Sequence, residues 1–165
     1  MNELGDRIRD TGRALLDLRA ALVAGEPWPL SERWGHEPEA SWGPPEVLGH
    51  VHEMIPYWTE ELERVRAGDP AAAVPFGRVA TDQSRLDRIE ADRAKPVGTL
   101  LDEIAVGLER TRAFVASLGP GDAERLGLHP TRGELTIEAS IERFFVTHLE
   151  EHVEQLRGIL ARRSA

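Results

Sequence analysis

At 165 residues the chain has room for one domain, spanning 1–165, with a substantial core, and not for two of ordinary size. Acidic residues outnumber basic ones by 29 to 20, and the net charge of -9 argues against nucleic acid, whose phosphates are neutralised by clustered Lys and Arg. Cysteine is absent, so disulfides and thiolate ligands are excluded; any metal must be held by His, Asp or Glu, and any thiol must come from outside.

No apolar run approaches the ~18 residues that a membrane span needs. The charged opening MNELGDRIRD carries no secretory signal. A cytoplasmic protein with no membrane partner is the expectation.

Four segments carry the period of an amphipathic helix, and none carries sustained strand alternation. The first covers about 3–24, with Leu4, Ile8, Leu15, Leu18 and Leu22 on one face, and GEP ends it. A loop with Trp28, Trp34 and Trp42 follows. The second helix opens at Pro44-Pro45-Glu46, where a missing N–H costs nothing and a carboxylate meets the positive end of the helix dipole. Its stripe is Val47, Val51, Met54, Trp58, Leu62 and Val65. Pro56 falls inside this run and should kink or break it, because proline cannot donate to the carbonyl of His52.

Over 69–95 the pattern is weak, a long surface crossing with room for one short helix. Asp82 and Asp87 read there as solvated charges rather than a catalytic base. The third helix covers about 96–118, with Leu100, Leu101, Ile104, Leu108, Val115 and Leu118 inward, and GPG stops it. After a further loop the fourth covers about 136–161, with Thr136 as N-cap. Four such helices make an all-α four-helix bundle with long connections between helices 1 and 2 and between 2 and 3.

The fourth helix holds the chemistry. In FFVTHLEEHVEQL, His148 and His152 are four apart and fall within the apolar stripe of Ile137, Ile141, Phe144, Phe145, Leu149, Leu156 and Ile159. Imidazoles so placed are buried or half-buried, and both ring nitrogens then need partners. Two histidines at this spacing can aim at one ion if a third ligand comes from another element. No HExxH is present, which disfavours metalloprotease chemistry. The second helix offers His50 or His52, about 200° apart on the wheel; His50 lies nearer the centre of the stripe, by only about 20°. The other reading is a pair of core histidines satisfied by backbone or neighbouring carboxylates. His36 and His129 sit in loops and read as surface residues, with His129 near enough to helix 4 to approach the site. The tryptophans read as core and loop anchors, with a pocket lined by Trp42 and Trp58 as the alternative.

The string WGPPEVLGH, Trp42 to His50, resembles the WSPxEVxxH entry to helix 2 of the DinB-like superfamily, and His148, His152 and Gln155 resemble its HxxxHxxQ pattern. Gly43 stands where the family has Ser or Thr, and Pro56 has no counterpart in the pattern. The resemblance implies an up-down-down-up four-helix bundle, with a divalent metal (zinc, nickel or iron) on His50, His148 and His152. It also implies a homodimer, and a transferase or isomerase that uses a low-molecular-weight thiol of the mycothiol or bacillithiol type on a small-molecule substrate. Glu46, Glu53 and Gln155 are the candidates to hold the outer ring nitrogens. The alternatives are a non-catalytic metal- or ligand-binding stress or sensor bundle acting as a dimer, and a purely structural bundle.

Overall fold

The computed structural model describes residues 2–32 and 39–164; His36 and Trp34 lie outside them. About 70% of the chain is helical and 6% strand. Helices α1 (Asn2–Asp17) and α2 (Arg19–Ala24) form the first segment. They are interrupted at Leu18, where the backbone tightens to a bond from Leu18 N–H to the Leu15 carbonyl (3.1 Å). A short 3-10 turn, Glu39–Ser41, precedes α3 (Pro44–Ala67). The crossing holds β1 (Val74–Pro75) and α4 (Gln83–Asp92), and then come α5 (Val97–Ala116) and the four-residue α6 (Pro120–Ala123). The chain ends in a single helical run: α7 (Ile137–Ile141), a π-helical turn (Glu142–Thr147) and α8 (His148–Ser164).

The expected stripes are the core. Ile8, Leu15, Leu22, Val47, Met54, Leu62, Leu100, Ile104, Ile141 and Leu156 are all buried in one cluster. Helix α3 packs on α4 and α5, while α1 packs on α5, α8 and the π turn. Thr136 caps the last run as expected, its hydroxyl accepting from Ala139 N–H (3.0 Å). Asp82 does the same for α4, accepting from Ser84 N–H (3.0 Å), and Asp87 is exposed.

Three expectations are corrected. The helix α3 continues through Pro56 instead of breaking. Buried threonines follow: Thr59 Oγ1 donates to the Ile55 carbonyl and meets Thr111 Oγ1, both at 2.8 Å. The loop before helix 4 is not free of strand: β2 (Leu126–His129) and β3 (Gly133–Thr136) form a hairpin, and β1 joins β2 in parallel, Val74 facing Gly127. The fourth helix is not one regular rod either, since the π turn falls directly before His148. Among the described residues no helix is long and apolar enough to cross a membrane.

Candidate metal centre

His50 stands in the second turn of α3, on the face turned to α8, while His148 opens α8 and His152 follows one turn later. The three Nε2 atoms converge: His50 to His148 is 3.0 Å and His148 to His152 is 3.2 Å. Glu39, from the 3-10 turn, brings a carboxylate to the same place. One ligand atom from each of these four residues lies within 4.8 Å of all the others, so they form a group able to hold a metal ion. His52 points elsewhere, its Nδ1 on Asp92 (2.7 Å) and its Nε2 near Glu103 (3.3 Å). The structure thus separates two histidines that the helical wheel barely distinguished.

The outer nitrogens fix the protons. Gln155 Nε2 donates to the Glu39 backbone carbonyl (2.9 Å), which turns Gln155 Oε1 toward His152 Nδ1 (3.1 Å). His152 must therefore carry its proton on Nδ1, leaving a lone pair on Nε2. His148 Nδ1 faces the Glu151 carboxylate at 3.3 Å, with the same consequence. With both rings neutral, two Nε2 lone pairs then oppose each other at 3.2 Å with no proton between them. A cation at that point removes the repulsion, so the donor set fits a divalent metal. His50 Nδ1 lies 3.5 Å from Arg85 Nη2 and 3.8 Å from Glu53 Oε2. That Glu53 oxygen is buried without a hydrogen-bond partner, an acceptor available if His50 moves its proton to Nδ1.

Of the three outer-shell candidates, Gln155 and Glu53 are therefore at the site and Glu46 is not. Glu46 instead ties down the start of α3, accepting from Gly43 N–H (3.1 Å), Ser31 N–H (2.8 Å) and Arg93 (3.0 Å). Its link to Gly43 is half of a capping box; glycine has no side chain to return the bond.

Burial first, then the neighbouring imidazoles and Arg85, hold His50 well below its usual value. Burial and the charge of His148 push His152 down to about 3. Both are neutral near pH 7, the form that ligates metal. Acidification therefore destabilises the metal-free fold: below about 6.5 the unfolded chain takes up a proton that His152 refuses until about 3. At up to about 1.4 kcal/mol per pH unit, His152 alone costs the fold about 2 kcal/mol between pH 7 and 5. Urea unfolding should show the stability gap between wild type and His152→Asn changing by that amount, wild type losing more; parallel profiles would contradict a neutral buried His152.

A cavity of about 840 Å3 adjoins the cluster, with Glu39, His50 and His148 on one side and Trp58, Leu135 and Phe144 on another. Trp58 and Phe144 stack with ring centres 4.0 Å apart, and His129 lies nearly parallel to both. Trp58 is thus anchor and pocket wall at once. Trp42 is buried with its ring edge-on to His50 (5.8 Å), and Trp28 anchors its loop through Nε1–H to the Leu22 carbonyl (2.8 Å). His129 is not a surface residue. It is 4% exposed, its Nδ1 accepts from Thr131 N–H (3.3 Å), and burial lowers its pKa. Gly77 shows how closely this wall is built: at φ +80° it lies where a Cβ would come within 2.6 Å of the His129 ring.

Two buried ion pairs border the histidines, Arg85 with Glu39 and Arg78 with Glu53; the Arg78 guanidinium also covers the Tyr57 ring at 3.6 Å. Glu39, Arg78, Arg85 and Glu151 were not singled out from sequence. No family model matches the chain, and neither does any curated protein or solved structure.

Proposed function

We propose that the chain binds one divalent metal ion through His50, His148 and His152 and is a metal-dependent transferase, joining a low-molecular-weight thiol to an electrophile or using that thiol to isomerise it. The observation that supports this best is the His148–His152 pair, whose inward nitrogens are both left as lone pairs by Glu151 and Gln155. The DinB-like reading, with α1–α2, α3, α5 and α7–α8 as the four rods of a bundle, is supported by the packing of these elements and by the His50, His148, His152 and Gln155 spacing.

A divalent ion on three imidazoles supplies Lewis acidity at its open positions, lowering the pKa of a thiol or water there. The chain's own residues do the rest. Gln155 and Glu151 hold the rings of His152 and His148 in the ligating tautomer. Trp58, Leu135 and Phe144 give the cavity an apolar wall against which a substrate can lie. Arg85 pairs with the Glu39 carboxylate beside the histidines and offsets its charge. No cysteine of the chain competes with the external thiol.

Glu39 also favours a second reading. As a fourth ligand it would close the ion off, which is the arrangement of structural or sensing sites rather than catalytic ones. Metal content by mass spectrometry and turnover of a chlorodinitrobenzene electrophile with a small thiol separate the two. Bound ion with thiol-dependent turnover supports the transferase; bound ion without turnover over a panel of thiols supports the sensor; no ion removes both. Replacing Gln155 by Leu is expected to weaken metal affinity about 10–100-fold by freeing the His152 ring. Competition with a chromogenic chelator measures this, and an unchanged affinity would deny Gln155 the role.

A further inference from the structure

Four arginines border the large cavity: Arg78, Arg85, Arg132 and Arg143. Two are neutralised where they stand, Arg78 by Glu53 and Arg85 by Glu39. Of the cavity's other carboxylates, Glu142 is paired with Arg7 (2.7 Å), while Glu151 accepts from His148 (3.3 Å) and keeps its charge. Arg132, in the turn between β2 and β3, and Arg143, on the π turn, are exposed at the cavity and have no carboxylate partner among the described residues. Both line the same cavity as His129, and both charges act on it. In a chain with a net charge of -9, two uncompensated guanidiniums at one cavity mouth are a local reversal of sign.

The rest of the wall limits what those charges can recognise. Trp58, Phe144 and Leu135 add an apolar surface to the same cavity as the arginines and the histidines. A volume of about 840 Å3 accommodates a small organic molecule, and the guanidinium fork matches a carboxylate in its plane.

The geometry points to an organic acid as the cavity's ligand: an apolar or aromatic body lying along Trp58 and Phe144, with a carboxylate held by Arg132 and Arg143. This assignment of substrate class rests on the reading of the histidine cluster as the reactive end of the same cavity. Arg132 and Arg143 select the anion and position it, leaving the far end of the molecule toward His50 and His148.

Calorimetric titration of the full chain with 4-phenylbutanoate and with 4-phenylbutan-1-ol, a neutral partner of nearly the same shape, tests the assignment. In metal-free protein, where no ion can attract the carboxylate, the acid is expected to bind about tenfold more tightly than the alcohol. Arg132→Gln and Arg143→Gln should each cut that preference about threefold, and the double variant should abolish it with the alcohol's affinity unchanged. Raising the salt concentration should erode the preference, because the arginines are exposed. Both positions lie at the surface, so an unchanged far-UV spectrum and melting temperature verify the fold of each variant. Equal affinity for the two compounds in wild type, binding of neither, or a preference that survives in the double variant overturns the proposal. Zinc uptake followed in the same samples keeps the two readings apart. An arginine-dependent preference without zinc uptake removes the metal reading alone, and zinc uptake without the preference removes this one alone.

Discussion

A His152→Ala chain is expected to bind no divalent ion at concentrations that saturate the wild type, and to lose the thermal stabilisation that the ion confers. The wild-type effect follows from mass action. An ion present at about a thousand times its Kd stabilises the folded state by about 4 kcal/mol. In a domain of this size that raises Tm by roughly 8–16 °C. His152 is 3% exposed, and its Nε2 faces His148 at 3.2 Å, so its removal takes away one inward lone pair and the ring that Gln155 orients. Differential scanning fluorimetry with and without zinc, nickel or iron(II), beside metal analysis of the same samples, reads both quantities. A His152→Ala chain that still gains the wild-type shift would place the ion elsewhere. The metal-free variant should itself remain folded, since the core stripes of α1, α3, α5 and α8 do not depend on the site.

Glu46→Ala is expected to cost about 3 kcal/mol or more, lowering Tm by roughly 6–12 °C. The carboxylate is fully buried and surrounded by donors: Ser31 N–H and Arg93 on Oε1, Gly43 N–H on Oε2. Alanine leaves two backbone N–H groups without their acceptor and removes a carboxylate partner from a nearly buried guanidinium. Glu46→Gln should rescue little, because either orientation of the amide points its NH2 group at one of those donors. Denaturant unfolding of both variants measures the effect. A loss below about 1 kcal/mol would mean that water replaces the carboxylate and that the entry to α3 is held by its prolines alone. As Glu39 and Trp42 lie just before this junction, the variant should also loosen the histidine cluster and weaken the metal affinity proposed for it.

The helices were legible because each buries one continuous stripe, and a stripe depends only on local spacing. The pair His148 and His152 was legible for the same reason. The preference of His50 over His52 was hardly so, since what distinguishes them is Asp92 and Glu103, contributed by other helices to engage His52. Glu39 left no trace at all: one carboxylate in a tryptophan-containing loop of an acidic chain has no pattern, and only the fold carries it to the histidines. The hairpin had only a faint signal in LGLHPTRGELT, where Pro130 and Gly133 mark the turn; the alternation of β2 is inverted, with Leu126 and Leu128 exposed and Gly127 and His129 buried. Four residues are too few to outweigh the surrounding helical context. His129 was misplaced with that hairpin, because in an open loop it would be solvated, whereas on β2 it faces Trp58 and Phe144.

The π-helical turn has a consequence for how this chain tolerates changes of length. A swollen turn of this kind is what an α-helix becomes when it absorbs one surplus residue without shifting its neighbours. Deleting any single residue between Glu142 and Thr147 would let the turn close into ordinary α-helix while α7 and α8 keep their mutual register. The change would fall on the residues of the turn itself, Phe144 and Phe145 among them, while His148 and His152 on α8 kept their aim. The backbone would survive such a loss as a shorter, more regular rod, with the imidazole cluster still assembled and the aromatic wall beside it altered.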